Sequence, residues 1–215
     1  MSHLGMNIEE VNGTASIPLT GASTSSAGFA IIAERGPVDK VLRVNSWVDF
    51  QKAYGNCLYA ANGKLITAGY YAIRGCFENK GNEVWVLRLT SNKEKTACYE
   101  HKVGDTVVFT IKAGYCGEEN PGVWGNNLKV KTTQEGNNYA LQVLLNNEEV
   151  EAYKASPAWE LIAKIRESSQ FIKIESTEGI LAVGDFTFSQ GESDPDPKNL
   201  IKAIDFEKFN CDIQM

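Results

Sequence analysis

Short apolar runs alternate with clusters of Gly, Asn, Ser and Pro along the chain, and the rhythm changes near residue 91. Gly28 to Glu34 is short and apolar, as expected of a strand buried on both faces, and Arg35-Gly36-Pro37 stops it. Val41 to Val44 reads as a second strand. Ser46-Trp47-Val48-Asp49 has the form of a capping box, with Ser46 accepting from first-turn amides and Asp49 reaching back. The short helix that follows ends at Tyr54-Gly55, where Gly supplies a left-handed cap. From Leu65 to Asn79, Leu65, Gly69, Ile73 and Cys76/Phe77 recur at helical spacing, and Asn79-Lys80-Gly81 offers a second Gly cap. Glu83 to Leu89 is a strong buried strand. Strand, helix, strand predicts an α/β layer with at least one parallel pairing.

After about Ser91 the pattern becomes one of short strands with partial alternation: Val103 to Ile111, Leu128 to Thr133, Tyr139 to Leu145 and Glu149 to Tyr153. Gly136-Asn137-Asn138 and Asn146-Asn147 are turn signals between them. Ser156-Pro157 opens a helix to about Ser168 with Pro at its first position and an apolar face of Trp159, Ile162 and Ile165. Phe171 to Glu175 adds a strand. The expectation is a separate β-rich module over 93–190 with one helix, and an α+β or α/β class overall. Gln190 to Pro197 reads as a linker or exposed loop. Lys198 to Phe206 begins a helix with Leu200, Ile201 and Ile204 apolar, and Asn210 to Met215 looks like a strand just starting, which suggests a fragment of a longer polypeptide. At the other end, residues 1–24 show no periodicity. Two readings stand side by side there: a disordered terminus, and a short extended arm that docks through Ala15-Ser16-Ile17-Pro18-Leu19.

Composition narrows the partners. Of 215 residues, 43% are hydrophobic and 22% charged, which fits a soluble globular protein. The formal net charge of −6, with Lys and Arg scattered, argues against nucleic acid or an anionic membrane as partner. No apolar stretch approaches the roughly 20 residues that cross a bilayer, and Met1 to Glu10 lacks the pattern of a secretory signal. Five cysteines (Cys57, Cys76, Cys98, Cys116 and Cys211) are odd in number and widely spaced, as in reduced cytosolic proteins.

Chemistry is sparse. Of two histidines, His3 lies in the N-terminal stretch, and His101 follows Cys98 at a C-x-x-H spacing with no second pair to complete a zinc site. No nucleophile elbow accompanies a Ser-His-Asp set. Gly55 to Lys64 lacks the Ser/Thr and spacing of a phosphate loop, and Pro195 and Pro197 interrupt the calcium-like alternation of Glu192, Asp194 and Asp196. Asn12-Gly13-Thr14 is a glycosylation sequon without a secretory route. Cys116 has no base in sequence reach. Trp124, between Pro121-Gly122 and Gly125-Asn126-Asn127, is read as a plug of the small module's core or as a ligand-stacking ring. Catalytic, cofactor-binding and metal residues are therefore expected to be none.

Several stretches, taken in order, resemble the first part of contractile tail sheath proteins of phages, phage-derived bacteriocins and injection particles. They are Ser25-Ser26-Ala27-Gly28-Phe29 through Glu34-Arg35-Gly36-Pro37, Val44 to Tyr54-Gly55, Tyr71 to Gly81, Val84 to Leu89, Pro121 to Leu128, and Leu200 to Phe206. The resemblance covers roughly residues 15 to 215. It implies a division into an arm over 1–24, the first part of an α/β (subtilisin-like) core over 25–92, an inserted β-rich domain over 93–190, and a return into the core over 191–215. It implies no protease activity and no cofactor. Its implied partners are further copies of the chain in stacked hexameric rings, an inner tail tube protein, and baseplate and tail terminator proteins, without nucleic acid or membrane insertion. Its implied place is the bacterial cytoplasm during assembly, then a virion tail or tail-like particle. The terminal arms of such proteins add strands to neighbours, which makes Ala15, Ser16, Ile17, Pro18 and Leu19 candidate interface residues. A non-catalytic two-module binder of carbohydrates or surfaces, with Trp124 as stacking platform, is the alternative.

Overall fold

A computed structural model describes residues 26–38, 40–60, 62–91, 93–176, 179 and 181–194. Among them the fold is mixed α/β with mostly β-structure. Strands β1 (Ser26–Ile31) and β2 (Val41–Val44) precede helices α1 (Trp47–Tyr54) and α2 (Gly69–Glu78), and β3 (Glu83–Arg88) follows. The three strands form one sheet in the order β1-β3-β2. β1 runs parallel to β3, Ser26 opposite Glu83 and Ile31 opposite Arg88, while β2 is antiparallel to it. The parallel pairing expected from the sequence is present.

Local chemistry sets the helix ends. The Ser46 hydroxyl accepts from the Asp49 amide at 3.1 Å and donates to the Asp49 carboxylate at 2.7 Å, so Asp49 reaches the hydroxyl of the cap. α1 ends at Gly55, whose φ is 79°. α2 begins at Gly69, four residues later than the periodicity predicts. Leu65 instead bridges to Tyr59, and Gly69 lies where an added Cβ would come within 2.5 Å of Ile31 Cγ2 on β1. Close approach of helix to strand outweighs the earlier apolar repeat. At its far end Lys80, not Gly81, takes the left-handed position (φ 66°). The Gly81 amide donates to Cys76 O at 2.9 Å and the Lys80 amide to Phe77 O at 3.2 Å, a Schellman closure.

The expectation that the first strand is buried on both faces is not met. Along β1 only Ile31 is buried. Among the described residues β1 pairs with β3 alone and so is an edge strand. The core of this layer gathers on one side, where Val84, Val86, Val44 and Ile31 meet Phe50, Tyr54 and Ile73 from the helices.

The rest of the described chain builds two four-stranded sheets over a second core. β4 (Cys98–Val103), β5 (Thr106–Tyr115), β6 (Glu118–Glu119) and β10 (Ile172–Ser176) form one; β7 (Leu128–Glu135), β8 (Asn138–Leu145), β9 (Glu148–Ala155) and β11 (Gly184–Thr187) form the other, in the order β11-β7-β8-β9. The run predicted as one strand over Val103 to Ile111 is split, because Gly104 (φ 62°) makes a hairpin turn that returns β4 into β5. β8 and β9 join through Asn146 and Asn147, both at positive φ, as a two-residue primed turn requires. Helix α3 (Ala158–Ser168) starts one residue after Pro157, which sits at the cap. Its buried face is Ala158, Leu161, Ile162 and Ile165, while Trp159, predicted for that face, is 63% exposed. Phe109, Ile111, Leu128, Val130, Leu141 and Val143 close the core between sheets.

The predicted loop at Gln190 to Pro197 is, as far as it is described, docked. Cys98 bridges to Ser189 and Lys95 to Glu192, and Gly191 exchanges hydrogen bonds with the Asn126 side chain at 2.8 and 2.9 Å.

Candidate functional site

The densest polar constellation joins the two cores. On β3 the buried positions are Val84, Val86 and Arg88, so strand alternation carries a guanidinium to the core side at the C-terminal end of the strand. Arg88 Nη1 donates to Asn120 Oδ1 at 2.7 Å and to Gly36 O at 3.2 Å. Its Nη2 donates to Pro121 O at 2.8 Å and lies 3.3 Å from the Glu94 carboxylate. Asn120 Oδ1 also accepts from the Gly36 amide at 3.1 Å. One side chain thus ties the turn after β1, the loop after β3 and the turn after β6. The Arg88 and Glu94 side chains are 2% and 5% exposed. Burial brings Arg88 down to about 10, opposed by Glu94, so it stays protonated at neutral pH. Burial also raises Glu94, opposed by Arg88. Both shifts have the same cause, the loss of water around a charged pair.

Arg35 makes the second tie. Its Nη2 donates to Gln51 O at 3.3 Å and Lys52 O at 3.2 Å at the end of α1, where the helix dipole favours a cation. The same guanidinium lies 4.9 Å from the Phe171 ring centre and 5.8 Å from that of Trp124, both in the β-rich core. Gly36 beside it has φ 117°, and an added Cβ would come within 2.5 Å of the Tyr54 ring. Burial pushes the Tyr54 hydroxyl well above its ordinary range, and it donates to Val86 O at 2.9 Å. The seam is close-packed and fixed by hydrogen bonds. It holds position, and its carboxylate, Glu94, is paired with Arg88.

The residues singled out from the sequence fall elsewhere. Trp124, in a 3₁₀ turn over Val123–Asn127, is 2% exposed and belongs to the β-rich core, so it cannot serve as an open stacking platform. His101 stacks on Phe109 with ring centres 4.8 Å apart. Burial pushes the Cys98 and Cys116 thiols up, the opposite of what a nucleophilic thiolate needs. Cys57, Cys76, Cys98 and Cys116 are free thiols. Glu192 pairs with Lys95 at 2.8 Å, and Asp194 accepts from Ser91 at 2.9 Å. Among the described residues no group of three His, Cys, Asp or Glu is placed to hold a metal ion, and no helix is long and apolar enough to cross a membrane. A hollow of about 480 Å³ lies at the Glu135–Asn138 end of β7, β8 and β9, lined by Thr133, Glu135, Asn138, Tyr139, Lys154 and Ala155. Ala15 to Leu19 and the stretch from Pro195 onward lie outside the described residues.

Arg35, Arg88 and Asn120 went unnoticed in the sequence. The signal was present in Val84-x-Val86-x-Arg88, an alternation that places a charge where an apolar side chain is due.

Taken together, the molecule is a mixed α/β protein with two cores fused at a buried polar seam. The fold is similar to that of a sheath tail protein from Listeria innocua, with a TM-score of 0.55 and 17% identity over 79% of this chain and 34% of that one. It is also similar to a sheath tail protein from Desulfitobacterium hafniense, with a TM-score of 0.52 and 12% identity over 86% of this chain and 38% of that one. The chain therefore spans little more than a third of the length of these proteins. No family model and no curated protein matches it.

Proposed function

We propose that this chain is a structural, non-enzymatic subunit, or part of one, of a contractile tail sheath. The observation that carries the reading is the likeness of fold to two sheath tail proteins across most of this chain. A close-packed seam of ion pair, hydrogen bonds and cation–π contacts in place of an open catalytic cleft supports it, as do thiols pushed away from the reactive thiolate form. In this reading residues 25–92 and 191–215 belong to one subtilisin-like α/β domain, with 93–190 inserted into it and 1–24 forming an arm. Copies would stack as hexameric rings around an inner tube protein, bounded by baseplate and terminator proteins, in a virion tail or a bacteriocin-type particle. Contraction would release energy held in contacts between subunits and would need no nucleotide.

The test is electron microscopy of the complete reading frame expressed with the tube protein encoded beside it. Regular sheathed tubes are the expected result; monodisperse protein that never coats a tube would overturn the reading. Within it, Ala15 to Leu19 pair with a neighbouring subunit. Deleting residues 1–20 should abolish sheath growth, and unchanged growth would remove the arm from the interface. The carbohydrate-binding alternative has lost its platform with the burial of Trp124.

A further inference from the structure

The β-rich module has a second end, opposite the seam. Leu128, where β7 starts, follows the 3₁₀ turn that carries Trp124, and the steps to Glu135 take the strand about 23 Å away from it. The hollow at that end, about 480 Å³, is of the size that ligand sites have. Its floor is small: Ala140 stands between Thr133 and Lys154 in the register of the sheet. Its walls mix donors and acceptors, namely the Thr133 and Ser156 hydroxyls, the Asn138 amide, the Glu135 carboxylate and the Lys154 ammonium. All five residues are exposed, and among the described residues none of these side-chain groups has a hydrogen bond or ion pair. Aromatic surface flanks them. Tyr139, partly buried, lines the hollow. Trp159 stands in the first turn of α3, three residues after Ser156, and is 63% exposed. Helix Cα–Cβ bonds tilt towards the N-terminus, which directs its indole back towards Ala155 and Ser156, both on the wall of the hollow. On the opposite flank Val183, one residue before β11, is 54% exposed. From β9 to β11 the sheet is about 14 Å wide.

We propose that this end of the module is a binding site for a neutral oligosaccharide, with Trp159 as the ring on which a sugar stacks. A sugar ring offers C–H faces to an aromatic surface and carries hydroxyls at its rim, each of them donor and acceptor at once. The hollow answers both roles. Lys154 and Asn138 donate, Glu135 and Asn138 accept, and the Thr133 and Ser156 hydroxyls do either. An open indole supplies apolar area with a polar edge, the combination that such a ligand needs. The apolar face of α3 is already filled by Ala158, Leu161, Ile162 and Ile165, so Trp159 is spare to the core. Glu135 and Lys154 cancel in charge, which leaves no net field to draw a phosphate or a nucleic acid. The site is distinct from Trp124, which is buried in the core. Binding belongs to a single chain and does not depend on the sheath reading.

Saturation-transfer NMR on the full chain tests it, with maltotriose, cellotriose and chitotriose as probes. At least one of the three should receive saturation at its ring protons. Trp159→Ala should weaken that binding about tenfold or more, as loss of an aromatic anchor does. Asn138→Ala together with Lys154→Ala should weaken it as well. All three positions are exposed, so the thermal midpoint should stay where it is in these variants. Saturation of none of the probes would overturn the proposal. Binding that keeps its full strength in both variants would place the sugar elsewhere and overturn it too, and a preference for heparin fragments over the neutral sugars would contradict the ligand class. The readout is binding to one chain, so its failure is distinguishable from a failure of sheath assembly.

Discussion

Ile111, Leu128, Leu141 and Leu161 are fully excluded from water between two sheets and a helix, whereas Trp85 and Leu87 on β3 keep one flank partly open. The β-rich core closes on itself because each of its sheets supplies an apolar face and α3 seals one end with Leu161, Ile162 and Ile165. The α/β layer closes on one face only, through α1 and α2. The same 3.3 Å rise and alternation build both; what differs is the number of layers the described residues provide. A region with one closed face gains less from burial and leans on its neighbour, and here it leans through Arg88 and Arg35. The difference teaches that the seam does for the α/β layer what a second covering layer does for the β-rich core.

The strongest way to break this comparison is to remove the tie. Arg88→Met leaves Glu94 buried without its cation, strips Gly36 O and Pro121 O of the Arg88 donor, and leaves Asn120 Oδ1 with the Gly36 amide. Losing one partner of a buried pair costs about 3–5 kcal/mol. Urea denaturation should show a loss of that size and a transition split in two, the α/β layer melting first. Next in size is a cavity in the closed core. Leu141→Ala should cost about 3 kcal/mol, by the range for buried leucines, and should lower a single transition without splitting it. A smaller effect is expected from Ser46→Ala, which deletes the cap of α1; about 1 kcal/mol should be lost, read from the thermal midpoint.

The smallest effect is a proton. Glu83 is held below the ordinary carboxylate range, first by the hydrogen bond from Ser26 at 2.7 Å and then by Arg43. A carboxylate lowered in the folded state adds stability above its unfolded pKa, and that contribution disappears as pH falls through the folded value. The β1–β3 junction should therefore loosen on acidification below the usual carboxylate range. Ser26→Ala should move the Glu83 titration, followed by NMR, back up towards that range; an unmoved titration would deny the hydroxyl its role.

Much of this was legible in the chain because the deciding forces were local. The Ser46 cap, the turn at Asn146-Asn147 and the strand over Val84 to Arg88 follow from side chains within a few residues of each other. What escaped depended on distant neighbours. Where α2 begins goes with the fit of Gly69 against Ile31; the hairpin at Gly104-Asp105, by contrast, is local, a two-residue turn hidden inside an apolar run. Trp159 was placed inside by its position on a helix, but the core it was to face was already filled by Leu161 and Ile165. Burial of the first strand was inferred from its apolar content, which cannot say how many layers will cover it. The seam was least legible, since Arg35, Arg88 and Asn120 look like ordinary turn and strand-end residues until three separate segments meet.

Native-state hydrogen exchange on the full chain tests most directly whether the seam makes one body of the two cores. Core amides of β3, such as that of Val86, and of β8, such as that of Leu141, should open with a common free energy in the unaltered protein and separate in Arg88→Met, β3 opening first. If β3 already opens on its own in the unaltered chain, and Arg88→Met leaves its exchange unchanged, the seam does not couple the cores and the account is wrong.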